Sequence, residues 1–194
     1  MTFSSPGTAG APGGMVRVHV AGDGSCLYHA VGAAFAAARA PVPSAAQAWL
    51  PGTTYAEAAG NLRATLYAYC EAHMATDADA RALCGLWSGV DQETVPCTGA
   101  GRAALLRRIA APAEWAHYEE FALLARMLEC CICVHHADGA RFLGQRNCVD
   151  VFGEDQPCAR GRPSIDILCT NSEHFDALVP AAAAAPRQKI GAPL

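Results

Sequence analysis

The residue of this chain best situated to do chemistry is a cysteine at the point where a glycine-rich turn opens into an apolar run. Gly22-Asp23-Gly24-Ser25-Cys26-Leu27-Tyr28-His29 puts Cys26 at the start of an expected helix, just after an expected strand. The first turn of a helix has unpaired N–H groups and the positive end of the helix dipole, and both favour thiolate over thiol. The thiolate is the nucleophilic form. The same N–H groups can receive the oxyanion of a tetrahedral intermediate, with Gly24 letting the backbone bend so that they face the sulfur. The competing reading is a small buried hydrophobe at a helix start, the ordinary fate of a cysteine, and the other nine cysteines are read that way.

A thiol nucleophile needs a base oriented by a third group. Asn171-Ser172-Glu173-His174-Phe175-Asp176 supplies both. On a strand, residues two apart share a face, so His174 and Asp176 point together into a cleft while Phe175 enters the core. The carboxylate then holds one imidazole nitrogen and the other faces the sulfur, which leads to an expected thiolate–imidazolium pair at neutral pH. His29, one turn past Cys26, is read as a packing or cleft-lining residue. His117, His135 and His136 are read as surface or satisfied histidines. Cys130, Cys131, Cys133, His135 and His136 crowd one segment, but alternation along a strand divides them between two faces. Zinc usually takes two separated ligand pairs, and the second is not evident. No metal and no cofactor are expected.

Positioning these groups requires a strand before Cys26, a helix after it, and a strand carrying the base. Residues 15–20 alternate with period two and read as the first strand; residues 26–39 read as a buried helix that ends before Pro41 and Pro43. Leu62, Leu66 and Tyr69 share a face of a helix over about 54–76, and residues 91–101 read as a loop. Residues 113–129 read as the clearest helix, with Trp115, Tyr118, Leu123, Leu124, Met127 and Leu128 forming its apolar stripe. Strands follow at 130–135, 164–170 and 174–179. Helices and strands interleave, with a meander near the end, which predicts a mixed α/β or α+β domain. Its bounds are 15–179, between Pro-, Gly- and Ala-rich tails at 1–14 and 180–194.

The chain has 194 residues, 52% hydrophobic and 16% charged, enough for one globular domain with a real core. A net charge of −4 gives no general basic field, so nucleic acid is not an expected partner. Neither a membrane span nor a signal peptide is legible, so no membrane partner is expected and a cytoplasmic or nuclear setting with reduced thiols is.

Three blocks together carry a family resemblance. Asp23-Gly24-Ser25-Cys26-Leu27-Tyr28 resembles the catalytic-cysteine motif of the ovarian tumour (OTU) cysteine proteases, which are deubiquitinases. Residues 115–125, then Leu128 and Ile132-Cys133-Val134, resemble that family's Trp-Gly-Gly helix and the strand after it. His174-Phe175-Asp176-Ala177-Leu178 resembles its terminal block, and the three blocks stand in the family's order across residues 15–179. The resemblance implies a papain-like α+β fold with a central mixed sheet between helical layers. It makes Cys26 the nucleophile, His174 the general base and Asp176 the orienting acid, with Asp23, Gly24 and Ser25 shaping the oxyanion region.

It also implies hydrolysis of the isopeptide bond after the terminal Gly-Gly of ubiquitin, with ubiquitin, polyubiquitin chains or a related ubiquitin-like modifier as partner. The compact domain is similar to viral and bacterial-pathogen members, for which the setting would be the host cytoplasm. Ala116-His117 replaces the family's two glycines, which brings His117 within range of the cleft. Ser25 stands where many members have Asn. Residues 40–110 carry no match. Two other readings stay open: a non-catalytic OTU-like ubiquitin-binding module, and a papain-like peptidase or acyltransferase with a different substrate.

Overall fold

The computed structural model describes residues 14–38, 55–74, 99–116, 118–136, 149–152, 163–171 and 174–184. Ten elements lie among them: β1 (Met15–Val18), α1 (Cys26–Ala38), α2 (Tyr55–His73), α3 (Gly99–Ala110), α4 (Tyr118–Met127), β2 (Cys131–His136), β3 (Val149–Phe152), β4 (Ser164–Thr170), β5 (His174–Pro180) and a single turn, α5 (Ala181–Ala184). The strands form one sheet in the order β1-β5-β4-β2-β3. Only β2 and β4 pair in parallel; the other neighbours are antiparallel, so the sheet is mixed and the class is α+β.

Helix α1 is apolar nearly all round, and its first ten residues are all buried, as such a composition requires. It packs on β5 and β4, with α2 against it and α3 against α2, while α4 covers β2 and β3. The core gathers Leu27, Val31 and Phe35 of α1, Leu62 and Leu66 of α2, and the helix-facing positions of the sheet, Ile132, Ile167 and Phe175 among them. Phe175 meets the Phe121 ring edge-on with centroids 5.1 Å apart, the favoured aromatic geometry.

Several expectations shift. The helix read over 113–129 starts at Tyr118, because residues 111–114 form a turn in which the Glu114 N–H donates to the Ala111 carbonyl at 3.1 Å. Trp115 therefore stands outside the apolar stripe and is 45% exposed. Helix α3 and strand β3 had no sequence expectation, and α3 begins inside the segment read as a loop. Pro180 closes β5 opposite Met15, and the Ala181 N–H donates to the Gly14 carbonyl at 3.0 Å, so the paired region runs past residue 179. Asn171, at the turn between β4 and β5, sits at φ 53°, a left-handed position that Asn tolerates well. The chain before residue 14 and after residue 184, and His117, lie outside the described residues, and with them most of both expected tails. None of the described helices is long and apolar enough to cross a membrane.

Among the described cysteines, Cys26, Cys70, Cys130, Cys133 and Cys169 carry free thiols, whereas Cys131 is disulfide-bonded, against the expectation of reduced thiols. A compartment argument covers all cysteines alike and cannot see the local geometry that pairs one of them.

Candidate active site

Two arms bring the candidate groups together. The first is β5, where alternation works as expected: Phe175 enters the core and Asp176 lies on the other face with His174. His174 Nε2 and Asp176 Oδ1 are 3.1 Å apart. Of the carboxylates on the neighbouring elements, Asp166 of β4 pairs with His135 at 2.7 Å and Asp23 lies 3.6 Å from His29. Asp176 is fully buried, and its charge is answered from β1 and the residues after it. Arg17 donates from Nε at 2.7 Å and approaches from Nη2 at 2.5 Å, both to Oδ2, and the Val20 N–H donates to Oδ1 at 2.9 Å. Burial alone would raise the pKa of this carboxyl. The Val20 N–H, the Arg17 guanidinium and the nearby His174 outweigh burial and hold it below the ordinary carboxylate range.

With Nε2 committed to Asp176, Nδ1 of His174 turns toward the segment that leads into Cys26. A methyl group placed on Gly22 would lie 3.7 Å from that nitrogen. The next residue of β5, Phe175, offers its backbone N–H to the Cys26 sulfur, as does Leu27 in the first turn of α1. The structure thus sets the strand bearing the candidate base directly against the candidate nucleophile.

The second arm is the turn before α1. The Ser25 carbonyl accepts the first helical bond, from the His29 N–H at 3.0 Å, so Ser25 is the N-cap and Cys26 the first helical residue. The Asp23 carboxylate accepts the Ser25 N–H at 2.8 Å, and the Asp23 carbonyl accepts the Cys26 N–H at 3.1 Å. Two of the N–H groups expected to stand open for an oxyanion are therefore engaged inside the turn. Gly24 is needed for a reason other than bending: a Cβ there would come within 2.5 Å of the Ala113 backbone, so the position is one of close approach.

Burial acts against the thiolate of the expected thiolate–imidazolium pair. Cys26 is 2% exposed, and burial raises its pKa. The N–H groups of Phe175 and Leu27 pull the other way without prevailing, and the charges of Asp23 and Asp176 add to the rise.

The sequence reading missed Arg17 and Arg63. Arg17 is one of the alternating residues of the first strand, and its partner lies 159 positions away. Arg63 sits on the buried face of α2 between Leu62 and Leu66, 5% exposed, and its guanidinium reaches Gly24, Ser25 and the end of α3. No sequence signal marks either as special. Among residues considered as metal ligands, Cys133 contacts Ser164 at 3.4 Å, His135 pairs with Asp166 and Cys131 is in its disulfide. No group of three or more metal-binding side chains gathers among the described residues.

As a sequence, the chain matches no protein-family model and no curated protein. Its fold is similar to solved OTU domains. The OTU domain of OTUD1 superposes with a TM-score of 0.51 at 20% identity, over 84% of this chain and 85% of that one. The viral OTU domain protease of Farallon virus gives 0.50 at 21% identity, over 84% and 83%. An OTU deubiquitinase of Wolbachia pipientis wMel gives 0.51 at 12% identity, over 91% and 94%. The likeness at these identities is one of fold.

Proposed function

We propose that this chain, which has the fold of OTU domains, is a cysteine deubiquitinase that cleaves the isopeptide bond after the C-terminal Gly-Gly of ubiquitin or a ubiquitin-like modifier. The observation that carries the reading is the joining of His174 and Asp176 at 3.1 Å on a strand whose next backbone N–H reaches the Cys26 sulfur. The Wolbachia protein of the same fold is a deubiquitinase.

In this reading Cys26 attacks the carbonyl of the terminal glycine as a thiol, and His174 Nδ1 takes its proton during the attack. Asp176 holds the imidazole in the tautomer that leaves Nδ1 unprotonated and stabilises the imidazolium once formed. The tetrahedral intermediate collapses as the imidazolium returns the proton to the departing lysine amine, leaving a thioester on Cys26. Water activated by the same imidazole hydrolyses the thioester and frees the modifier's carboxylate. The turn of Asp23, Gly24 and Ser25 serves the oxyanion, and the Cys26 N–H exchanges its 3.1 Å bond to Asp23 for the developing charge.

The burial of Cys26 favours a second reading, a binding module of the same fold without turnover. One experiment separates the two: turnover of ubiquitin joined through an isopeptide bond to a fluorescent lysine peptide, by wild type and Cys26→Ala. The first reading expects release by wild type alone. Binding of ubiquitin with no release by either protein would establish the second.

A further inference from the structure

The strongest unassigned feature of the molecule is the buried guanidinium of Arg63. A cation removed from water normally needs an anion or a full set of hydrogen bonds. Arg63 has the second. Nε donates to Ser25 Oγ at 3.1 Å, and Nη2 donates to the carbonyls of Gly24 at 2.5 Å and Glu114 at 2.7 Å. Nη1 serves the carbonyls of Arg108 at 3.4 Å, Ile109 at 3.2 Å and Ala111 at 3.1 Å. The Arg108 and Ile109 carbonyls belong to the last turn of α3, the negative end of its dipole, where a cation is favoured. The flat face of the guanidinium lies 4.2 Å from the centre of the Tyr28 ring. The Tyr28 hydroxyl donates to the buried Glu120 carboxylate, which Arg108 also engages at 2.9 Å. Only a planar fork with five N–H donors can serve acceptors spread in this way.

We propose that Arg63 is the positioning residue of the thiol site, holding the turn before Cys26 in its reactive geometry from across the helical layer. The Gly24 carbonyl and the Ser25 N–H are the two ends of one peptide group. Arg63 grips the first and the Asp23 carboxylate grips the second at 2.8 Å, so this planar unit cannot rotate. The next N–H is that of Cys26, bonded to Asp23. Behind the turn lies a cavity of about 440 Å³ lined by Asp23, Ser25, His29, Arg63, Tyr67 and Pro112. The turn is therefore open at its rear and held there by hydrogen bonds, with Ser25 Oγ also donating to the Pro112 carbonyl at 3.2 Å.

The inference rests on Cys26 being the nucleophile, as proposed above, so its test includes an arm that needs no ubiquitin. Arg63→Lys and Arg63→Gln, each checked for a cooperative thermal melt, are labelled with iodoacetamide near neutral pH, and Cys26 and the half-buried Cys133 are followed by peptide mass spectrometry. The expected result is a fall of about tenfold or more in Cys26 labelling with Cys133 unchanged. On ubiquitin–lysine substrate, kcat falls by about a hundredfold while KM stays within about twofold, the pattern of a misplaced reacting group. Wild-type labelling of Cys26 in a folded variant would overturn the proposal, as would equal changes at both cysteines, which mean general loosening. If neither variant melts cooperatively, Ser25→Ala removes the Nε acceptor and leaves the anchors on α3. A selective loss at Cys26 then supports the proposal and wild-type labelling overturns it. Failure of the deubiquitinase reading would show separately, as a wild type inert toward ubiquitin whose Cys26 labelling still depends on Arg63.

Discussion

The two arms of the site are held by opposite kinds of chemistry. On the β5 side, a buried carboxylate is bound by a cation and a backbone N–H, with Arg17 and Val20 converging on Asp176. On the α2 side, a buried cation is bound by neutral oxygens, with the carbonyls of Gly24, Ile109, Ala111 and Glu114 converging on Arg63. The Asp176 anchor titrates and the Arg63 anchor does not, because arginine keeps its charge and carbonyls have none to lose. Acid should therefore weaken the hold on His174 and leave the Arg63 anchors of the turn in place.

The sharpest way to break this comparison is Asp176→Asn. The amide keeps the shape but loses the charge that selects the His174 tautomer, so turnover should fall about 10³- to 10⁴-fold. Stability should fall by only about 1–3 kcal/mol. Turnover within about tenfold of wild type would move the orienting role elsewhere. The pH dependence follows from the same residue. Its folded pKa lies below the ordinary value, so its stabilising contribution is present above about pH 4 and is lost as pH falls through the lowered value. Urea melts at a series of acid pH values should show the gap between wild type and Asp176→Asn closing in that window.

Next in size are the two glycines that flank the turn on its two sides. Gly24→Ala drives a methyl group into the Ala113 backbone at 2.5 Å, which must displace the turn. Turnover should drop about a hundredfold, with a Tm loss corresponding to about 1–3 kcal/mol. Gly22→Ala meets His174 at 3.7 Å, an ordinary contact, and should stay within about threefold of wild type. Equal effects at the two positions would erase the distinction between a packed side and an open side. Between these lies Arg17→Gln, which removes one of several partners of Asp176. It should cost about tenfold in kcat and move the acid limb of the pH–rate profile upward, since the carboxyl loses an influence that holds its pKa down.

The same contrast explains what the sequence revealed. The placement of Cys26 at the start of α1 and of His174 beside Asp176 was legible because turn chemistry and strand alternation are local rules, and β5 obeys them: Phe175 packs inward beside His174 and Asp176. The three resemblance blocks pointed to the fold that the sheet and the solved OTU domains share. Arg17 and Arg63 were invisible because each acts on partners brought near only by the tertiary fold. Arg63 even occupies a helix position that periodicity assigns to the core. Trp115 was misplaced because its apolar side chain continues the helical stripe, while the turn at residues 111–114 delays the helix. The burial of Cys26 was invisible for a related reason. The helix N-terminus is readable from sequence, but the burial that outweighs it depends on what β5 and α1 bury between them.

The most direct test of the central claim uses ubiquitin whose C-terminal carboxylate is replaced by an electrophile. Wild type, Cys26→Ala and His174→Ala are incubated with it, and the products are weighed intact and mapped by peptide. One adduct is expected on wild type, located on Cys26, none on Cys26→Ala, and strongly slowed labelling of His174→Ala. An adduct on another cysteine, or labelling of Cys26 that does not depend on His174, would contradict that claim.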